Sequence, residues 1–218
     1  MRDQDFIFAV RHRLGLPCAD GLPRKCSCEE VLANDAAHFH SCQLQRRTSV
    51  TARHDFVVKA LARLFRLAGG IVKIEPRIYG EDRQRPDIDI TFPDQSLMVD
   101  VGISHPASPS RKSTYPLAAA AAAEHKKIEH YKGLAARYGA VFQPFIVESF
   151  GAFGKHADEV MKVLRTAAAL EAPILPQGVG SFSDYAVKCL AMALQKGNAL
   201  VARKGAIEAR SAAVVGRR

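Results

Sequence analysis

The chain has 218 residues, of which 48% are hydrophobic and 24% charged, the profile of a globular protein long enough to bury a core. No apolar run approaches the roughly 20 residues that a membrane-spanning helix needs, and the amino-terminal stretch lacks the long apolar segment of a secretory signal. A net charge of +9 points instead to a polyanionic partner.

Residues 3–14 carry Phe6, Ile7, Val10 and Leu14 at near-helical spacing, and "GLPCADGLP" then breaks the chain. The segment "KCSCEEVLANDAAHFHSC" follows, with Cys26, Cys28, His38, His40 and Cys42. Zinc takes four nitrogen or sulfur ligands in a tetrahedron, and two close cysteines followed by a close His/Cys pair can supply them from two short loops. His38 and Cys42 lie four apart, about one helical turn, so both can face one ion. We take Cys26, Cys28, His38 and Cys42 as the set, with His40 as the competing imidazole. A site closed by four protein ligands is structural rather than catalytic. Five cysteines, an odd count with three of them clustered, fit metal binding in a reduced compartment better than a disulfide framework. Cys18 and Cys189 are read as free thiols.

The stretch "SVTARHDFVVKALARLFRLAGG" predicts a helix stopped by two glycines, and "IVKIEPRIY" a strand. Next, "RPDIDITFPDQSLMVDVGISH" supplies two strands joined by the turn "PDQS". Each of its apolar runs carries an acid at one end: Asp87 opens the first and Asp100 closes the second, with twelve residues between them. If both project at one end of the sheet, two carboxylates meet, and like charges that close call for a cation. Magnesium takes one or two carboxylates and keeps waters or phosphate oxygens, which suits phosphodiester hydrolysis. Such chemistry also needs a positive group near the nucleophile, and Lys127, on the helix after these strands, is the candidate. That helix, "LAAAAAAEHKKIEHYKGLAARYG", has high intrinsic propensity and ends at Gly139. A buried strand, "AVFQPFIVESFG", and helices near 155–170 and 182–212 complete the chain. The order helix, three strands, helix, strand implies an α/β sheet covered by helices.

"RPD", the twelve-residue gap and "DV" together resemble the PD-(D/E)xK nuclease core. More narrowly, the chain resembles the restriction-like endonuclease at the carboxy-terminal end of reverse transcriptases of site-specific non-LTR retrotransposons. The Cys/His segment precedes a helix that begins "RHD"; "EHKKIEHY" and "QPFIVESFG" follow in the family's order. The resemblance spans roughly residues 10–155. It implies a restriction-endonuclease-like mixed sheet, with residues 1–50 as an amino-terminal helix and zinc segment, 51–155 as the nuclease core and 156–218 as a helical extension. It implies a magnesium- or manganese-dependent endonuclease that nicks DNA to prime reverse transcription. Asp87 and Asp100 would hold the divalent metal and Lys127 would act beside them. Arg53, His54 and Lys126 would bind nucleic acid, either DNA or RNA, with Arg53 and His54 alternatively positioning the helix itself, and Glu148 reads more readily as a strand-end salt bridge than as a residue behind the acids.

Several positions depart from the family pattern. The generic motif places its lysine where this chain has Gly102; Lys127, four before Tyr131, replaces it. His130 stands where the family often has a second lysine, and Asp55 where asparagine is common. The implied partner is the rest of a reverse transcriptase polyprotein, and the implied setting is the nucleus or another reduced intracellular compartment. The rival expectation is a nucleic-acid-binding or scaffold protein that kept the fold and lost the chemistry.

Overall fold

A computed structural model describes residues 2–17, 22–32, 36–42, 49–77, 84–106 and 115–215. Cys18 and the last two residues of the predicted first strand, 78 and 79, lie outside them.

Four strands form one mixed sheet in the order β1-β2-β3-β4. Strands β1 (Ile71–Ile74), β2 (Ile88–Thr91) and β3 (Ser96–Ser104) pair antiparallel, and β4 (Val141–Glu148) runs parallel to β3. The parallel step needs a crossover, which helix α3 (Ala118–Arg137) provides. Helix α1 (Asp3–Arg13) precedes the zinc segment. Helices α2 (Ser49–Leu67), α4 (Lys155–Glu171) and α5 (Phe182–Val215) complete the set.

Strand alternation decides what faces what. Leu97, Val99 and Val101 of β3 turn toward α2, α4 and α5, where they join Leu61, Phe65, Phe145, Leu164 and Leu190 in the main core. Met98 turns the other way, into a smaller cluster with Tyr131, Leu134 and Ala135 of α3. By the same parity Asp100 and Gly102 face α3. The sheet is thus a sandwich filling, with a thick apolar layer on one side and a single alanine-rich helix on the other. The alanines let that helix approach closely: Ala119 and Ala120 are buried.

A third cluster ties the zinc segment to α5. Cys26, Leu32, Phe39 and Cys42 pack with Phe8 of α1 and with Ala199, Val201, Ala202, Ala206 and Ala209 of α5. Helix α5 therefore spans both cores, with Leu190 and Leu194 in the main one and its second half against the zinc segment. Residues beyond 156 are part of the packed body rather than an appendage.

Phe39 is fully buried against Gly205, where even a methyl group would overlap its ring. The ring is rigid, so Gly205→Ala is expected to cost about 1–3 kcal/mol by overpacking, measured by chemical denaturation.

The apolar spacing of α1 does not mark a buried face. Phe6, Ile7, Val10 and Leu14 are exposed, while Phe8, Ala9 and His12 are buried. The small face that packs on α5 contains a histidine, which hydropathy does not count as core. No helix among the described residues is long and apolar enough to cross a membrane.

Candidate active site and metal centre

The metal centre is built from two turns. A short hairpin, bridged at Lys25 and Val31, presents Cys26 and Cys28. Its tightness comes from Glu29, whose φ of 68° is left-handed, and from the Cys26 amide donating to the Glu30 carbonyl at 2.9 Å. The 3₁₀ turn Ala36–His40 then presents His38, and the Cys42 amide closes back on the His38 carbonyl at 3.0 Å.

The four candidate ligand atoms all lie within 4.8 Å of one another. Cys26 and Cys42 Sγ are 3.9 Å apart, Cys42 and Cys28 Sγ 3.8 Å, and Cys28 Sγ and His38 Nε2 3.3 Å. A zinc ion with bonds of about 2.3 Å to sulfur has tetrahedral edges of about 3.8 Å, so the donors fit that ion. Without a cation the thiols oppose one another: burial first, and then the neighbouring cysteines, push Cys26 up to about 12. A bound zinc reverses this by stabilising thiolates.

His40 is not a ligand. It points away from the thiols, buried, with Nδ1 accepting from Arg53 Nη1 at 2.9 Å. Burial, and then the positive Arg53 beside it, hold His40 well below the ordinary imidazole value. Arg53 also donates to Asn198 Oδ1 at 3.2 Å. It is only 2% exposed, and burial lowers its guanidinium to about 10. Its partners are in the protein interior, where it fastens the zinc segment and α2 to α5, rather than on a nucleic-acid surface.

The second site lies where β2 begins, against the middle of β3. The last paired rung is Ile88↔Val99, so one step further Asp87 stands across from Asp100. Asp87 Oδ2 accepts from the Val101 amide at 2.7 Å and from His54 Nε2 at 3.0 Å. Asp100 Oδ2 is paired with Lys127 Nζ, and its Oδ1 accepts from the Tyr131 hydroxyl at 3.3 Å. That hydroxyl is within 2.8 Å of the Arg85 carbonyl as well. Lys127 and Tyr131 sit one turn apart on α3 and reach the same carboxylate.

The two acids are not equivalent. Burial and the charge of Asp87 push Asp100 up to about 6, against the opposing pull of Lys127. Burial also raises Asp87, but the hydrogen bond and charge of His54, with the Val101 amide, outweigh it and hold Asp87 below the usual carboxylate value. His54 is in turn held above its ordinary value: burial lowers it, and the Asp87 bond and charge more than compensate. Burial and the nearby carboxylates raise Tyr131, which therefore stays a phenol.

Gly102 explains the place of Lys127. A Cβ there would meet Ile146 Cδ1 at 2.6 Å and Lys127 Cε at 3.1 Å. The lysine stem from α3 thus fills the space beside β3 that a side chain at 102 would take.

Lys126, the neighbouring candidate, is exposed, and it is Lys127 that makes the ion pair. His54 belongs to the acid cluster itself, which its position 33 residues before Asp87 did not reveal. Glu148 lies in register with Ser104, four residues along β3 from Asp100. At about 3.3 Å per residue that is some 13 Å away, outside the cluster. Glu124 of α3 is a buried acid that sequence reasoning passed over; it accepts from the His156 amide at 2.9 Å and caps α4.

These features define an α/β protein with a Cys₃His cluster near its amino terminus that could hold a metal ion, and a buried acid–base cluster where β2 begins beside the middle of β3. No family model matches the chain. It is 30% identical, over 174 residues, to the Retrotransposable element SLACS 132 kDa protein of Trypanosoma brucei gambiense. That alignment covers 75% of this chain and 14% of the relative, so the chain corresponds to a small part of a much longer protein. The chain is thereby related to a retrotransposable-element protein.

Proposed function

We propose that this chain is a restriction-like DNA endonuclease module of a retroelement, which nicks target DNA in a reaction dependent on magnesium or manganese. The observation that carries this reading is the convergence of Asp87, Asp100 and Lys127, with His54 and Tyr131, on one point where β2 begins beside the middle of β3. The similarity to a retrotransposable-element protein supports it independently. The proposed partners are DNA, with RNA second, and, since the relative is a much longer protein, the remainder of a reverse transcriptase polyprotein; target DNA would place the work in the nucleus.

Asp87 and Asp100 would hold the divalent ion. Their fit rests on Asp100, a buried carboxyl raised by its neighbour's charge, which is the condition that a shared cation relieves. The ion would supply Lewis-acid activation of water and charge neutralisation at the phosphodiester. The chain's own groups divide the remaining tasks. Lys127, 27% exposed, has the reach to turn from Asp100 to a phosphate oxygen. Tyr131 orients the Asp100 carboxylate through its hydroxyl, and His54 with the Val101 amide fixes Asp87.

One observation favours a second reading. Each acid already has a partner, Lys127 for Asp100 and, when protonated, His54 for Asp87, and with both partners charged the cluster is balanced without a metal. That is what a derived, non-catalytic nucleic-acid-binding protein would retain. Conversion of supercoiled plasmid to open circle in magnesium or manganese separates the two. Lys127→Ala is expected to slow nicking by about 100-fold or more, comparable to removal of a charge-stabilising donor, with an unchanged helical circular dichroism spectrum. Nicking at the wild-type rate by this variant would leave the binding protein as the better account.

A further inference from the structure

A second surface, away from the acids, has the character of a polynucleotide track. Along α5 the cations Lys196, Arg203 and Arg210 recur every seven residues. Seven residues are two helical turns less about 20°, so the three form one stripe; at 1.5 Å per residue it runs for about 21 Å. Leu200 and Ile207, each four residues after a cation, lie beside it.

The stripe borders a groove. At one end is a cleft of about 460 Å³ between α1, α2 and α5, lined by Arg2, Asp5, Phe56, Lys196, Leu200 and Arg203. It continues along α1 into a cleft of about 200 Å³ that shares Asp5 and Arg203 and ends at Ile207 and Arg210. Among the described residues the two clefts together are lined by four cations, Arg2, Lys196, Arg203 and Arg210, and by one acid, Asp5. That acid is shared: Arg2 Nε lies 3.2 Å from Oδ2 and Arg203 Nη1 3.5 Å from Oδ1. Among these lining residues the cations outnumber the one carboxylate, so the lining carries net positive charge. At its near end Lys196 Nζ stands 4.8 Å from the Phe56 ring centroid, a flat apolar floor under a charge.

We infer that this α1–α5 groove binds the sugar–phosphate backbone of duplex DNA. The argument is charge complementarity together with length: about 21 Å corresponds to about six base-pair steps along one strand. An apolar docking partner would leave the cations desolvated and unpaired, a cost a phosphodiester backbone does not impose. The groove begins on α2, the helix whose His54 meets Asp87, but on its opposite side. A duplex contacting both must cross one helix width of about 10 Å, which makes the groove a flanking anchor rather than a part of the acid cluster. The inference rests on the nucleic-acid reading above and not on catalysis.

The test compares wild type with Lys196→Gln/Arg203→Gln/Arg210→Gln in the full chain. Glutamine avoids placing a second acid beside Asp5, and thermal melting checks the fold. Affinity for a short fluorescent duplex, and for an RNA hairpin of equal length, is measured by anisotropy across a salt series. Each phosphate contact contributes about 0.9 to the slope of log affinity against log salt. The triple variant is therefore expected to lose about 2.7 from that slope and to bind the duplex more weakly at low salt. An unchanged slope in a variant that melts like wild type overturns the groove while the proposed function stands. Selective loss of RNA binding overturns the assignment to DNA. Wild-type protein that binds no duplex at any salt overturns both readings. If wild type binds without nicking, only the catalytic proposal fails.

Discussion

Asp100→Ala is expected to abolish nicking of supercoiled plasmid in magnesium or manganese. Loss of a group one shell removed from a metal commonly costs about 10–100-fold; loss of a direct ligand should exceed that. Three contacts make Asp100 the sensitive position. It is buried, it faces Asp87 across the strands, and it receives both Lys127 and Tyr131. The substitution also leaves Lys127 beside an apolar gap, so some loss of stability accompanies it. Asp100→Asn serves as the control, since it can keep the Tyr131 hydrogen bond and fill the same volume while removing the charge. Nicking lost in both variants, with duplex binding preserved in Asp100→Asn, is the expected pattern. Full nicking by either variant would remove Asp100 from the chemistry. Asp87→Ala should behave similarly, with one difference: His54 and the Val101 amide both lose their acceptor, so the contact between the start of β2 and the middle of β3 should loosen too.

Cys28→Ser or Cys42→Ser is expected to remove about one equivalent of zinc and to unfold the segment that carries it. Structural zinc contributes directly to folding free energy, about 10–16 kcal/mol in isolated zinc-finger peptides. Here the loss should be smaller, because Leu32 and Phe39 also pack against α1 and α5. Its consequences should nevertheless spread. Phe39 fills the depression at Gly205, and His40 accepts from Arg53, which in turn bonds Asn198. Releasing the turn would strip Arg53 of one of its two acceptors inside the protein, where an unpaired charge is costly. Thermal melting should therefore show a lowered midpoint for the α2–α5 body as well as loss of the zinc segment. Elemental analysis finding full zinc in Cys28→Ser would rule out this ligand set. Zinc retained in His40→Ala, by contrast, follows from the geometry, since His40 faces Arg53 and not the thiols.

What could be read from the sequence is what short chain segments impose. The Cys/His ligands lie within 17 consecutive positions, and two tight turns are enough to gather them. The acids meet because "PDQS" joins their strands directly, and antiparallel pairing then sets 87 across from 100. Alanine content and glycine stops define α2 and α3 without outside help. Lys127 was named from the chemistry's need for a cation and from a family pattern; nothing in local spacing says that its stem fills the space beside Gly102, since 25 residues and a crossover separate them.

The rest was decided by packing between distant segments. His38 is set apart in the sequence by its four-residue spacing to Cys42, but only the folded turn shows that His40 goes to Arg53. Arg53 and His54 are adjacent on α2, yet about 100° of helical rotation turns one into the interior and the other toward Asp87. The apolar residues of α1 matched a core pattern, but the face that α5 accepts is the one holding Phe8, Ala9 and His12. The seven-residue cation spacing of α5 was present in the sequence throughout; it became a groove only because α1 lies alongside it and supplies the opposite wall. Local sequence determines which residues can share a turn or a strand pair, whereas burial depends on which second surface arrives, and that surface is set by the whole chain's packing.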